Sequence, residues 1–316
     1  MSWLRPVLNT YLRWTEKPHL RRASPQQARR SFLMKSRLFF HAPLGMARAV
    51  RPFGAGEALH VDARSGPPAR TTILYFHGGG FVFGAPETHA AMLAALAKRA
   101  GARAILPRYP LAPEHPYPAA ADHALAAYHA CLRDHGPQTI ILGGDSAGGA
   151  LALTLLARLI RDGAPLPACV FAFSPLTDLT FAGPSFRTNA EADAELPAER
   201  AEEMARMYLG EADPTDPSIS PLFADFTGAP PVWITAGDTE ILLDDSRRIV
   251  ERLAEQGVPT TYVEERDLPH VWPIFHNTLP EARRTLDALA AWIRAQTGAS
   301  RCANRTSLKP SATGSG

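Results

Sequence analysis

Short β-branched apolar runs alternate along this chain with longer stretches whose apolar residues recur at helical spacing. Runs at Thr72–Phe76, Arg103–Leu106, Thr139–Leu142, Cys169–Phe173, Val232–Thr235 and Thr260–Glu264 read as strands. Between them, Glu87–Arg99, Pro118–His135, Ala147–Arg161, Asp244–Gln256 and Pro280–Arg294 read as helices. Strands that are apolar throughout are buried on both faces, and helical crossovers between them make neighbouring strands parallel. The expected fold class is therefore α/β, a mostly parallel doubly wound sheet with helices on both faces, whose ligand site lies at the carboxyl ends of the strands.

The two ends of the chain depart from this alternation. Within the first forty residues Trp3, Leu4, Val7, Leu8, Tyr11, Leu12 and Trp14 recur at helical spacing among nine basic residues opposed only by Glu16. Such a helix can lie on a membrane surface, but packing on the body of its own chain is the commoner use of an amphipathic face, and that is the expectation here. Pro18 and Pro25 are expected to break the segment. Residues 54–69 read as turns with one short strand around Ala58–Val61. From Gln296 to Gly316 the chain turns to Ser, Thr, Ala and Gly and is expected to be disordered.

Composition narrows the function classes. With 316 residues, 46% hydrophobic and 20% charged, the chain is ordinary globular protein, and a net charge of +2 points to no nucleic acid or other polyanion as partner. Three widely spaced cysteines, Cys131, Cys169 and Cys302, suggest neither a disulfide framework nor a zinc cluster. With no apolar run near the ~20 residues of a membrane span and no signal core, a cytoplasmic protein without stable membrane association is expected.

Chemistry enters at two glycine-rich turns, each following a strand. In Gly144-Asp145-Ser146-Ala147-Gly148 a serine sits between glycines where a strand gives way to a helix, the nucleophile-elbow pattern. His77-Gly78-Gly79-Gly80 offers unshielded backbone N–H groups that can hold the anion of a tetrahedral intermediate, with Gly78, Gly79 and the N–H of Ala147 as the expected oxyanion donors. A phosphate loop would need a Lys-Ser/Thr ending, which is absent. A serine nucleophile needs a base, and the base an orienting acid, in the chain order serine, acid, histidine. His270, after the last strand, fits the base; Asp238, Glu240, Asp244 and Asp245 all follow the strand at Val232–Thr235 and are open as the acid, with the last two placed to cap the next helix. Asp145, beside the serine, is expected to support the site from behind.

Together with Arg108-Tyr109-Pro110-Leu111-Ala112-Pro113-Glu114-His115-Pro116, Ser174-Pro175-Leu176-Thr177-Asp178 and Ser185-Phe186-Arg187-Thr188-Asn189, these turns make the chain resemble the hormone-sensitive-lipase family of α/β-hydrolase esterases, the bacterial family IV, in its Gly-Asp-Ser-Ala-Gly subgroup. The resemblance runs from about Thr71 to Trp292, with Pro110 standing where the family commonly has arginine. It implies a serine carboxylesterase for short-chain acyl esters, with no cofactor or metal and a small-molecule ester as partner; homodimers are common in relatives. It implies Ser146 as nucleophile and His270 as base, and aligning the family's Asp-Pro-Leu-x-Asp with Asp244 makes Glu240 the acid, with Asp238 as runner-up. It also implies an N-terminal helical cap (residues 1–50), a catalytic domain (51–296) with a cap excursion at about 181–212, and a tail (297–316). Phe83, Met204, Met207, Tyr208 and Leu209, with Leu4 and Leu8, are then the expected substrate pocket. Hydrolysis of amides, lactones or N-acetyl compounds on the same triad is the alternative, and a non-catalytic ligand-binding hydrolase fold, as in gibberellin receptors, a more distant one.

Overall fold

The computed structural model describes residues 2–65 and 69–306, with side chains described as far as residue 298. In chain order its elements are α1 (Leu4–Arg22), α2 (Pro25–Phe39), β1 (Met46–Phe53), β2 (Gly56–Ala63), β3 (Thr71–Phe76), α3 (Pro86–Ala100), β4 (Ala102–Pro107), α4 (Ala119–Asp134), β5 (Ile140–Asp145), α5 (Ala147–Arg161), β6 (Cys169–Phe173), α6 (Ser185–Thr188), α7 (Ala198–Leu209), β7 (Val232–Gly237), α8 (Leu243–Glu255), β8 (Thr260–Glu265) and α9 (Pro280–Thr306). Eight strands form one sheet in the order β1-β2-β4-β3-β5-β6-β7-β8. From β4 onward all neighbours are parallel, whereas β2 pairs antiparallel with β4 and β1 antiparallel with β2. This is the α/β-hydrolase arrangement.

The central strand β5 is buried along its whole length, as are β6 and β7, because helices cover both faces. Two apolar clusters lie on opposite sides of the sheet. One gathers α4 and α5 residues such as Tyr128, Leu153 and Leu156 against Leu74, Leu142 and Ile234. The other gathers Leu93, Leu96, Leu286 and Leu289 of α3 and α9 against Ile73, Ile141 and Phe171. Alternate residues of one strand thus serve opposite layers, as the two-residue period of a strand requires.

Four expectations need correcting. β1 and β2 form a full hairpin in place of one short strand, so the sheet begins at Met46, inside the segment assigned to the cap. Six of the eight β1 residues are exposed, which is why no apolar alternation marked it. Pro18 lies inside α1 and does not break it; side chains of the same helix dock it on the chain, with Arg13 Nη2 donating to the Ala192 carbonyl (2.6 Å) and Lys17 Nζ to those of Ala190 (2.6 Å) and Asp193 (2.8 Å). The amphipathic face of α1 packs only in part: Leu12 is buried, but Trp3 and Trp14 are 75% and 80% exposed. Finally, α9 runs to Thr306, beyond the start assigned to the tail; residues 307–316 lie outside the described residues. No described helix is long and apolar enough to cross a membrane.

Candidate active site

Ser146 sits one residue past β5, in a backbone conformation (φ 52°, ψ −123°) that side-chain-bearing residues rarely adopt. The turn is closed by Ser146 N donating to the Phe173 carbonyl at 2.9 Å, while the Ser146 carbonyl accepts from Ala150 N and Leu176 N, both at 3.1 Å. A Cβ at Gly148 would run into the Phe76 and His77 carbonyls, so the first turn of α5 can press against β3 only with glycine there. As the first residue of α5, Ala147 has an N–H with no helical acceptor beside the serine.

His270 follows β8, and its Nδ1 lies 2.6 Å from Glu240 Oε2. Both residues are buried, at 5% and 1% exposure. Burial alone would lower the imidazole pKa; the charge and hydrogen bond of Glu240 reverse this and raise it to about 9. The other carboxylate oxygen, Glu240 Oε1, accepts from Ser174 Oγ (2.8 Å) and Gly237 N (2.5 Å). Ser174 Oγ also accepts from Val271 N at 3.3 Å, tying the acid to the histidine loop. The opposite ring nitrogen, His270 Nε2, is buried without a hydrogen-bond partner among the described residues. Ser146 and His270 line one cavity of about 420 Å³, walled mainly by apolar side chains.

Asp238, the runner-up acid, does not reach His270. Its Oδ1 accepts from Asp267 N at 2.6 Å and so braces the loop three residues before the histidine. Nor do Asp244 and Asp245 cap α8 with their side chains. Asp244 Oδ2 accepts from Ser185 N (2.7 Å), and Asp245 Oδ2 from Thr177 N (2.6 Å) and Asp178 N (2.9 Å), because the β6–α6 loop brings its own unpaired N–H groups within reach.

Among the expected oxyanion donors, Gly78 is a correction. Its N–H already donates to Asp145 Oδ1 at 3.0 Å. The same carboxylate accepts from Tyr75 Oη (2.7 Å) and faces His89 Nε2 (3.2 Å). Although burial opposes it, His89 and these hydrogen bonds hold the Asp145 pKa below its usual value. Gly79 and Gly80 have φ of 119° and 58°, and neither N–H has an acceptor among the described residues. Both line the cavity with Ser146. His77 is buried between Tyr109 (ring centroids 4.4 Å apart) and His89 (5.8 Å), where burial lowers its pKa to about 3.

The pocket reading is also corrected in part. Leu4, Leu8, Phe83 and Met204 line the cavity, but Met207, Tyr208 and Leu209 do not. On α7 the cavity face carries Ala201, Met204 and Ala205; Tyr208, one turn further, stacks on Phe81 (centroids 3.7 Å), and Met207 and Leu209 pack on the core. Leu176, Phe181, Glu195, Leu196 and Leu242 are also among the lining residues. These lie on loops and helix ends where no periodicity marks an inward face.

A family model described as alpha/beta hydrolase fold matches residues 73–274. The chain is 38% identical to an acetyl-hydrolase of Streptomyces hygroscopicus over 76% of its length and 81% of that protein's, and 37% identical to an esterase of Acinetobacter venetianus over 80% and 84%. Among solved structures, one described as an esterase from the bacterial hormone-sensitive lipase family superposes with a TM-score of 0.88 at 34% identity, covering 94% of this chain and 99% of that one. The structure of EstE5 soaked with p-nitrophenyl butyrate gives a TM-score of 0.88 at 35% identity, covering 94% and 100%.

Proposed function

This chain belongs to the hormone-sensitive-lipase family of α/β-hydrolase esterases and is a carboxylic ester hydrolase; from that premise we propose that it cleaves short-chain acyl esters through an acyl-serine at Ser146. The observation that carries the reading is a buried imidazole held at Nδ1 by Glu240 while Nε2 stays unpaired in the cavity that Ser146 lines. His270 Nε2 takes the hydroxyl proton as Ser146 Oγ attacks the ester carbonyl. Glu240 fixes the tautomer and stabilises the imidazolium that forms. The oxyanion is held by the N–H groups of Gly79, Gly80 and Ala147, each without a competing acceptor. On collapse the C–O bond breaks and His270 returns the proton to the leaving alcohol. Water, deprotonated by the same nitrogen, then attacks the acyl-serine and releases the acid.

We read a short acyl group for this cavity of about 420 Å³, whose apolar lining includes Leu176, Phe181 and Met204. The names of the acetyl-hydrolase relative and of the butyrate-soaked neighbour point the same way. The test is labelling with an alkyl fluorophosphonate, mapped by mass spectrometry, alongside turnover of p-nitrophenyl esters of increasing acyl length and of matched amides. An adduct on Ser146 and rates that peak at short esters are expected. Ser146→Ala should stay folded by circular dichroism and lose roughly 10⁴-fold or more in kcat. Amides turned over faster than matched esters would move the reading to amide hydrolysis. A chain inert to both probes would move it to ligand binding.

A further inference from the structure

Among the described residues that line the cavity, His19, Glu195 and His270 each carry a buried polar atom without a partner, and Glu195 is the one carboxyl of the three. It lies between α6 and α7, held by its own N–H donating to Asp193 Oδ1 at 2.8 Å, and its side chain lines the cavity shared by Ser146 and His270. Its carboxyl makes no hydrogen bond or ion pair with any described residue, and Oε2 is fully buried.

Of the titratable groups around it, the imidazoles of His19 and His270 each keep Nε2 unpaired yet neither bonds Glu195, and the others are engaged elsewhere. Lys35 of α2 is paired with Glu16 of α1 at 2.7 Å. Lys17 of α1 donates to the carbonyls of Ala190 and Asp193. Asp193 accepts from the N–H groups of Glu195, Leu196 and Ile241. Across the cavity His270 is bound to Glu240. Burial, followed by the charges of Asp193, Glu16 and Glu240 and opposed only by His270, raises the Glu195 pKa to about 8, so the group is mainly the neutral acid at pH 7. A neutral carboxyl carries an O–H that needs an acceptor; Leu176, Phe181, Leu196 and Leu242 of the cavity wall have none to give, and neither His19 Nε2 nor His270 Nε2, which also line the cavity, is hydrogen-bonded to it.

We propose that Glu195 is a specificity-determining residue of this site, its O–H donating a hydrogen bond to a second acceptor oxygen of the substrate, so that the preferred ester carries an ether, keto or further ester oxygen besides the reacting group. The proposal rests on the esterase reading above and narrows its substrate class. A substrate lacking that oxygen leaves the buried O–H unpaired on binding, which weakens its transition state relative to the oxygenated ester.

The test compares kcat/KM for esters differing by one CH2-to-oxygen exchange. On the acyl side these are p-nitrophenyl butanoate against methoxyacetate, pentanoate against 3-methoxypropanoate, and hexanoate against 4-methoxybutanoate. On the alcohol side the pair is butyl against 2-methoxyethyl butanoate. Taking each preference in the wild type relative to that in Glu195→Leu removes the intrinsic reactivity of the ether esters. In at least one pair the wild-type preference for the oxygenated ester should exceed that of Glu195→Leu by about tenfold, and Glu195→Gln, which keeps an N–H donor, should retain it. Because both esters of a pair share His270, its titration cancels. The wild-type preference should therefore fall as pH rises above about 8 and the donor is lost, while that of Glu195→Gln stays level. Preferences equal in all three proteins and flat with pH would overturn the proposal. If Glu195→Leu does not fold, the pH dependence in the wild type and Glu195→Gln decides. Loss of all turnover, on plain and oxygenated esters alike and in the wild type too, would instead overturn the esterase reading.

Discussion

The two oxygens of Glu240 serve different partners, one the imidazole of His270 and the other Ser174 and Gly237. A carboxylate pinned on both sides cannot swing, so the ring it holds has one orientation. Because the charge of Glu240 raises the His270 pKa to about 9, the protonated ring persists above neutral pH, and only the neutral ring can accept a proton. Activity should accordingly fall as pH drops through that value, with the acid limb of kcat/KM centred above the ordinary histidine value of 6.5. Replacing Glu240 by Gln removes the charge and leaves the burial, so the limb should move to lower pH while the plateau falls by about 10³- to 10⁴-fold. Asp238→Asn keeps an oxygen for Asp267 N and should cost less than about tenfold. Full pH profiles of both variants separate the two carboxylates; the opposite ranking would make Asp238 the acid.

Elements, not single residues, decide where the proposed oxyanion donors stand. Asp145 ends β5 and reaches across to the turn after β3, where it holds Gly78 N, Tyr75 Oη and His89 at once. Asp145→Ala should release that turn and lower kcat by about 10²-fold with a smaller change in KM, since donors displaced by an ångström no longer meet the developing charge. Single-turnover rates would isolate the acylation step. Of this arrangement the sequence displays the parts and not the wiring. Ser146, His270 and the glycine run stand out because turns after apolar strands leave few places to look. That Gly78 N–H is committed to Asp145, which is why Gly80 is proposed in its place, depends on a bond between residues 67 apart in sequence. The strands β3 to β7 were legible from their apolar runs, and β8, half-buried at the far edge of the sheet, from its β-branched residues. The hairpin β1–β2 was not, since an edge strand with Arg48, Arg51 and Pro52 facing solvent carries no apolar rhythm.

At the scale of the whole molecule, the cavity is roofed by segments far apart in the chain. α1 contributes Leu4, Leu8 and Leu12, and the stretch from Phe181 to Ala205 supplies Phe181, Glu195, Leu196, Ala201, Met204 and Ala205. Lys17 fastens one to the other through two backbone carbonyls, and Arg13 adds a third. Lys17→Ala would leave those two acceptors unpaired in a partly buried seam, at a cost of roughly 1–3 kcal/mol. A loosened roof should raise KM for longer acyl chains more than it lowers kcat for acetate; a urea titration with kinetics on both esters checks the two effects together. α1 also reaches the histidine loop, with Asn9 Nδ2 donating to the Asp267 carbonyl at 3.1 Å.

The roof and the reacting groups occupy separate stretches of chain. The proposed triad and oxyanion turn hang from the ends of sheet strands, and the triad residues are themselves buried, where nearly any change disturbs a packed neighbour. The roof is two strips of helix and loop with much of their surface in water. Inheritance can therefore edit the menu without touching the knife: a lineage can trade one ester for another by drift in the roof while the cutting edge passes down unaltered.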